Sequence, residues 1–246
     1  MRNIFVITGC SSGLGKELSL LLLEKKFTVI GISRRDPQIR NKKFFFIKRN
    51  FEKSSNNKNN IFFLKKFVLK KNIKIIINAG INFSNKQEFK LAQVKKILDI
   101  NFVNQFYFLV NIINKYNSKI KEISFISSYD VFTKEPKQFF AYSLSKVFLF
   151  ELTKLFYRYS NSFSFNARVI ILGGIKTKMF TTSNKDLVFN KIKNKINTMK
   201  TTYASEKIIN FLLSSNKRIL FLPKRYKLKS IKFYVKNYKN FIYSSL

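Results

Sequence analysis

Near the start of the chain, residues 3–15 read NIFVITGCSSGLG, an apolar run that passes directly into a glycine-rich loop. The run predicts a strand over Asn3–Thr8, followed by the loop and a helix. Gly9 permits a tight turn, Gly13 lets the backbone approach a ligand, and Gly15 lets the helix pack close to the strand. Free N–H groups at the start of such a helix suit phosphate groups. The competing interpretation is a plain glycine turn; the position between strand and helix favours a dinucleotide-binding loop.

The rest of the chain alternates between short apolar runs and longer amphipathic segments. Further strands are predicted over Thr28–Ser33, Lys43–Ile47, Ile73–Ile77, Ile120–Ser127, Asn166–Leu172 and Arg218–Leu222. Helices are predicted over Lys16–Lys26, Asn59–Lys71, Phe89–Tyr116, Ala141–Tyr159 and Ser205–Leu213, with Leu91, Val94, Leu98, Phe102 and Gln105 on one face of the long third helix. Because the strands are apolar throughout, we expect an α/β, Rossmann-like, doubly wound domain whose seven-stranded, mostly parallel sheet has helices on both faces.

Composition limits the class of protein. Apolar residues make up 46% of the 246 residues, which is enough for one sizeable core. We expect a single domain over residues 1–225. We expect a basic amphipathic tail over residues 226–246, which packs on this domain or extends from it. No apolar stretch reaches the length of a membrane helix and the N-terminus does not read as a signal peptide, so we expect a cytoplasmic protein. One cysteine and no histidine exclude an intrachain disulfide and argue against a zinc site.

The formal charge of +36 has two interpretations. Alone, it suggests binding to nucleic acid or to an acidic membrane surface. However, Lys, Asn, Ile, Phe and Tyr are abundant together and all have A/T-rich codons, so compositional bias explains lysines spread along the chain. We favour the compositional interpretation. For the tail segment Lys227–Tyr243 we likewise favour a packing helix with a solvated lysine face over a membrane-surface helix.

The end of the second predicted strand points to the coenzyme. A site for NAD(H) usually has a carboxylate there, for the ribose hydroxyls. This chain instead has Ser33, followed by Arg34 and Arg35. A guanidinium binds a 2′-phosphate through paired, charge-assisted hydrogen bonds. The sequence therefore favours NADP(H) over NAD(H).

Tyr142 and Lys146 lie four residues apart, which places them on one face of a predicted helix. A phenol titrates near pH 10, and a neighbouring ammonium lowers its pKa towards the range useful for acid–base catalysis. Ser127 and Ser128 end the preceding strand, where their hydroxyls can meet the tyrosine.

Together these motifs resemble the short-chain dehydrogenase/reductase superfamily, in its compact single-domain form, over about residues 3–222. The resemblance implies that Tyr142 is the general acid/base and that Lys146 lowers its pKa. It implies that Ser128, with Ser127 as the alternative, positions the substrate carbonyl and that Asn101 holds a water of a proton relay. The implied coenzyme-binding residues are Gly9, Ser11, Ser12, Gly13, Leu14, Gly15, Ser33, Arg34, Asn50, Asn78, Ala79, Gly80, Tyr142, Lys146, Gly173, Ile175 and Thr177. Leu172 departs from the pattern, since family members have a proline there.

The resemblance implies an NADP(H)-dependent oxidoreductase that transfers hydride between nicotinamide and a carbonyl or secondary alcohol. It also implies a homodimer or homotetramer, a small-molecule substrate, and a variable lid over Thr181–Thr202. The alternatives are a non-catalytic NAD(P)-binding regulator on the same fold and a nucleotide-sugar epimerase or dehydratase. A nucleic-acid-binding protein is the remote alternative, because the sequence contains no recognised nucleic-acid module.

Overall fold

Seven strands form one parallel sheet in the computed structural model, which describes residues 3–53, 64–68, 72–82, 90–132, 139–182 and 198–225. The strands are β1 (Ile4–Thr8), β2 (Thr28–Ser33), β3 (Phe44–Lys48), β4 (Ile73–Ile77), β5 (Ile120–Ser128), β6 (Asn166–Leu172) and β7 (Ile219–Leu222). Their order is β3-β2-β1-β4-β5-β6-β7, and each neighbouring pair is parallel. The predicted α/β fold is confirmed, and the described sheet is parallel throughout.

The helices are α1 (Gly13–Glu24), α2 (Lys65–Val68), α3 (Leu91–Leu98), α4 (Asn104–Tyr116), α5 (Phe140–Arg158), α6 (Lys178–Thr182) and α7 (Thr201–Ser214). A π-helical turn, Asp99–Val103, joins α3 to α4. Short 3₁₀ turns cover Asn117–Lys119, Tyr129–Phe132 and Ser160–Ser162. The predicted lid lies mostly, and the tail entirely, outside the described residues.

Helices cover both faces of the sheet because its strands are apolar on both sides. On β1, Ile4 and Val6 face one buried cluster, whereas Phe5 and Ile7 face the other. The first cluster includes Phe108, Leu109 and Ile112 of α4 with Leu149, Phe150 and Phe156 of α5. The second includes Leu14, Leu18 and Leu22 of α1 with Ala204, Ile208 and Ile209 of α7. Alternate residues of each central strand therefore hold opposite helix layers in place.

The long third helix differs from its prediction. The sequence predicts an unbroken helix over Phe89–Tyr116, but the π-helical turn inserts an extra residue and rotates α4 relative to α3. The predicted apolar face is also wrong at its start, where Leu91 is 81% exposed. The buried side carries Ile97, Ile100 and Asn101 instead.

Within the described part of the chain, no helix combines the length and the apolar character needed to cross a bilayer. The same residues contain no group of three His, Cys, Asp or Glu side chains arranged to hold a metal ion.

A buried charge cluster joins three strands to the end of α7. Glu122 Oε2 lies 3.0 Å from Arg168 Nη1 and 3.3 Å from Lys74 Nζ, and its other oxygen accepts a hydrogen bond of 2.9 Å from Ser124. Arg168 also donates to the carbonyls of Phe211, Ser215 and Lys217. One carboxylate therefore neutralises two cations while the guanidinium caps the helix.

Replacing Glu122 by Gln should lower the free energy of unfolding by about 3 kcal/mol, because two cations would remain without their buried counter-charge. Urea denaturation followed by circular dichroism measures this difference. Glu151→Gln is the control, since Glu151 pairs with Lys154 on the exposed surface of α5. Equal stability of the two variants would contradict a structural role for the cluster.

Candidate active site

A cavity of about 1090 Å³ opens at the carboxyl edge of the sheet, the edge at which open parallel sheets bind ligands. The ends of β1, β2, β4, β5 and β6 all contribute to its wall. The structure brings every residue predicted to bind coenzyme to this cavity: Gly9, Ser11, Ser12, Gly13, Leu14, Gly15, Ser33, Arg34, Asn50, Asn78, Ala79, Gly80, Tyr142, Lys146, Gly173, Ile175 and Thr177.

The glycine loop forms the floor of one end of the cavity. Gly9 and Gly13 have φ angles of 72° and 55°, in the left-handed region that glycine tolerates best. A Cβ on Gly15 would lie 2.2 Å from the Gly9 carbonyl oxygen, so no other residue fits there. Helix α1 has no side-chain cap and no acidic residue in its first turn. Its first N–H groups therefore suit an anionic ligand in the cavity.

A buried polar network lies beneath this loop. Thr8 Oγ1 donates to Gln105 Oε1 at 2.6 Å and accepts from the backbone N–H groups of Asn78 and Ala79. Gln105 Nε2 donates to the carbonyls of Ala79 and Ile100, both at 2.8 Å. The network thus ties β1, β4 and the π-helical turn together. This role of Gln105 was not predicted from the sequence, although a glutamine on the apolar face of a predicted helix is a visible signal.

The wall beyond β2 is strongly basic. Arg34, Arg35, Arg49 and Lys96 line the cavity there, and Glu52 pairs with Lys96 at 2.7 Å and with Arg34 at 3.9 Å. The Arg34 side chain is 60% exposed, so its guanidinium remains available to a bound anion. Arg49 lies over the rings of Phe51 and Phe108, at 5.2 and 4.9 Å, which fixes its position.

Tyr142 and Lys146 lie on α5 and line the end of the cavity opposite the glycine loop. The Lys146 ammonium lies 5.4 Å from the centre of the Tyr142 ring and donates to the Ile126 carbonyl at 3.1 Å. The lysine side chain is buried, and this desolvation lowers its pKa to about 8, although the nearby charge of Asp130 acts in the opposite direction. The pair therefore has the one-face arrangement that the sequence predicted.

Asn101 is the predicted site residue that does not line the cavity. Its Oδ1 accepts from Ile81 N at 2.7 Å, while Nδ2 donates to Ile81 O at 2.9 Å and to Ser145 Oγ at 3.1 Å. The side chain is fully buried and bonds to protein, and the role of Asn101 in holding a relay water stays a prediction. It joins the loop after β4 to the residue that precedes Lys146.

The two serines at the end of β5 face opposite sides of the sheet, as neighbouring strand residues do. Ser127 Oγ donates to the Lys146 carbonyl at 2.9 Å and so fastens β5 to α5. Ser128 Oγ donates to Asp130 Oδ2 at 2.8 Å. Both serines and Asp130 line the cavity. Asp130 was not predicted as a site residue, even though it closely follows the two serines at the carboxyl edge of the sheet.

The chain is similar to known proteins in sequence and in fold. The family model described as short chain dehydrogenase matches residues 3–188. No curated protein matches the chain. Among solved structures, a short chain dehydrogenase family protein from Francisella tularensis is 23% identical, with 90% of this chain and 97% of that chain covered and a TM-score of 0.70.

Two further structures were solved with coenzymes. A short chain dehydrogenase from Burkholderia cenocepacia in complex with NADP is 15% identical, with 89% of this chain and 87% of that chain covered and a TM-score of 0.72. A 4-hydroxyisoleucine dehydrogenase complexed with NADH is 20% identical, with coverages of 89% and 96% and a TM-score of 0.74. At these identities the likeness shows a shared fold.

The buried lysine gives a prediction for stability. The pKa of Lys146 is about 8 in the folded protein and 10.5 ordinarily. Between these two pH values the unfolded chain holds a proton that the folded chain has lost, so the contribution of Lys146 to the free energy of unfolding rises with pH. Raising the pH from 7 to 11 should therefore stabilise wild type relative to Lys146→Met by about 3 kcal/mol in the free energy of unfolding. Urea denaturation across this range measures it.

The control is Lys207→Met, because Lys207 lies exposed on α7 and its variant should show no such shift. A pH-independent difference for Lys146→Met would mean that the ammonium is not desolvated in the folded protein.

Proposed function

Because the chain belongs to the short chain dehydrogenase family, we propose that it is an NADP(H)-dependent oxidoreductase acting on a small carbonyl compound or the corresponding secondary alcohol. One observation carries the proposal: Tyr142, Lys146 and Ser128 line the same cavity as the glycine loop. Side chains suited to acid–base chemistry and a helix start suited to phosphate are therefore within reach of one extended ligand, which supports the proposal.

The cavity residues fit a nicotinamide dinucleotide. The uncapped start of α1 suits the pyrophosphate, and the basic wall around Arg34 suits a phosphorylated ribose. The cavity volume lies at the upper end of the range for small-molecule sites, as a ligand of this size requires. When bound, the coenzyme supplies or accepts the hydride.

In the reductive direction, Tyr142 donates its phenolic proton to the substrate oxygen, and the proton thereby completes the alcohol. Lys146 stabilises the phenolate that remains, because its ammonium is held beside the ring by the Ile126 carbonyl. Burial of Lys146 strengthens this electrostatic effect, since little water screens its charge. The oxidative direction uses the same groups in reverse, with the phenolate as the base.

Two further residues support the reacting groups. Ser128 orients the substrate oxygen from the end of β5, whereas Ser127 uses its proton on the Lys146 carbonyl and acts through the backbone. Asn101 is a positioning residue in this proposal. Its contacts with Ile81 and Ser145 hold α5 against the loop after β4.

Replacing Tyr142 by Phe should reduce turnover by about 10²–10⁴-fold, because the variant loses the proton donor but keeps the ring. NADPH oxidation on a panel of ketones and aldehydes measures turnover, and coenzyme fluorescence measures binding, which should change little. Tyr157→Phe is the matched control, since Tyr157 lies exposed on the same helix. Undiminished turnover in Tyr142→Phe would refute the catalytic assignment.

Replacing Arg34 by Ala should reduce the preference for NADPH over NADH, expressed as the ratio of kcat/KM values, by about 10–100-fold. The variant would lose a charge-assisted contact with the 2′-phosphate, and NADH lacks this group. Arg40→Ala is the control, because Arg40 is exposed and lies away from the cavity. An unchanged ratio would show that Arg34 does not recognise the 2′-phosphate.

A further inference from the structure

Asp130 places a carboxylate directly beside the proposed substrate-orienting serine. It lies in the 3₁₀ turn Tyr129–Phe132 that follows β5, and it is half-buried in the cavity wall. Among the described residues that line the cavity, Asp130 is the one acidic side chain, against six basic ones: Arg34, Arg35, Arg49, Lys96, Lys146 and Lys178. The mechanism described above makes no use of it.

The contact with Asp130 determines the direction of the Ser128 hydrogen bond. A serine hydroxyl has a single proton. Here that proton is donated to Asp130 Oδ2 at 2.8 Å in preference to the Leu172 carbonyl, which lies 3.5 Å from Ser128 Oγ, and the Asp130 N–H donates back to Ser128 Oγ at 3.4 Å. A hydrogen bond to a charged acceptor is stronger than one to a neutral carbonyl. A simple ketone must therefore compete with Asp130 for the proton that would orient its oxygen.

We propose that Asp130 is a specificity-determining residue that selects substrates with a hydrogen-bond donor, a hydroxyl or an ammonium, on the carbon next to the reacting carbon. The inference rests on the proposed function. A donor at that position bonds to the Asp130 carboxylate and takes the place of Ser128. The Ser128 hydroxyl is then released to donate to the reacting oxygen.

The geometry suits this exchange. Polar groups on adjacent carbons can lie about a hydrogen-bond length apart, which matches the 2.8 Å between Ser128 Oγ and Asp130 Oδ2. Ser128 and Asp130 therefore present two neighbouring sites to two neighbouring substrate groups. A substrate without the second group leaves the carboxylate bonded to the serine, and its carbonyl oxygen lacks one donor.

The test compares matched ketones in NADPH-dependent reduction. One pair is 2-hydroxycyclohexanone and cyclohexanone, and the other is aminoacetone and acetone. In wild type, kcat/KM should be at least tenfold higher for the donor-bearing member of one or both pairs. Which pair shows the difference identifies hydroxyl or ammonium as the preferred donor.

In Asp130→Ala that ratio should fall to near one, because the Ser128 proton is then available to both ketones; a change in the Lys146 pKa caused by loss of the Asp130 charge acts on both ketones alike and leaves the ratio unaffected. Asp130→Asn keeps the shape of the side chain without its charge and should lower the ratio in the same direction, which covers the case in which the alanine variant fails to fold. Glu151→Gln, on the exposed surface of α5, should leave the ratio unchanged.

Two results overturn this inference alone: turnover in wild type without discrimination in either pair, or discrimination that persists in both Asp130 variants. Absence of NADPH oxidation with every carbonyl in wild type would instead contradict the proposed function, and this inference with it. The two failures are therefore distinguishable in the same set of assays.

Discussion

Helix α1 begins so close to the preceding loop that residue 15 has no room for a side chain. A Cβ there would meet the Gly9 carbonyl at 2.2 Å and the Asn78 amide at 2.5 Å. This contact fixes the first turn of the helix over the carboxyl ends of β1 and β4. The uncapped N–H groups and the basic wall can therefore contact one ligand. A greater distance between α1 and the loop at Gly9 would direct the helix start away from the cavity.

The same contact is supported by buried polar groups that also extend to the end of the cavity that contains Tyr142 and Lys146. Thr8 and Gln105 hold the backbone after β4, and Gln105 bonds a carbonyl of the π-helical turn. Asn101, in that turn, bonds Ser145 on α5. The glycine loop and the helix that carries Tyr142 and Lys146 are thus joined through buried hydrogen bonds, which are costly to break singly. This continuity links the two ends of the cavity through the protein interior.

The sheet was predictable because its signals are local. Fully apolar runs flanked by helices indicate buried parallel strands, and the bounds of β2, β4 and β6 agree with those expected. The interruption of the third predicted helix was not predictable, since it depends on distant partners of Asn101 and Gln105. Periodicity alone placed Leu91 on the buried face, where the structure leaves it exposed. The shared face of Tyr142 and Lys146 was predictable, because a spacing of four residues places two helical side chains on the same face. The hydrogen bond between Ser128 and Asp130 could be identified only from the three-dimensional structure.

The compositional interpretation of the abundant lysines offers no explanation for the positions of the acidic residues. The chain has 12 acidic residues against 48 basic ones. Glu122 lies buried between two cations and Glu52 joins two basic residues at the cavity wall, so each serves a definable structural purpose. Asp130 differs, because it accepts a hydrogen bond from Ser128, two residues away, in the wall of the cavity where the substrate is expected. In a chain so poor in carboxylates, a carboxylate at this position is more informative about the substrate than the whole excess of positive charge.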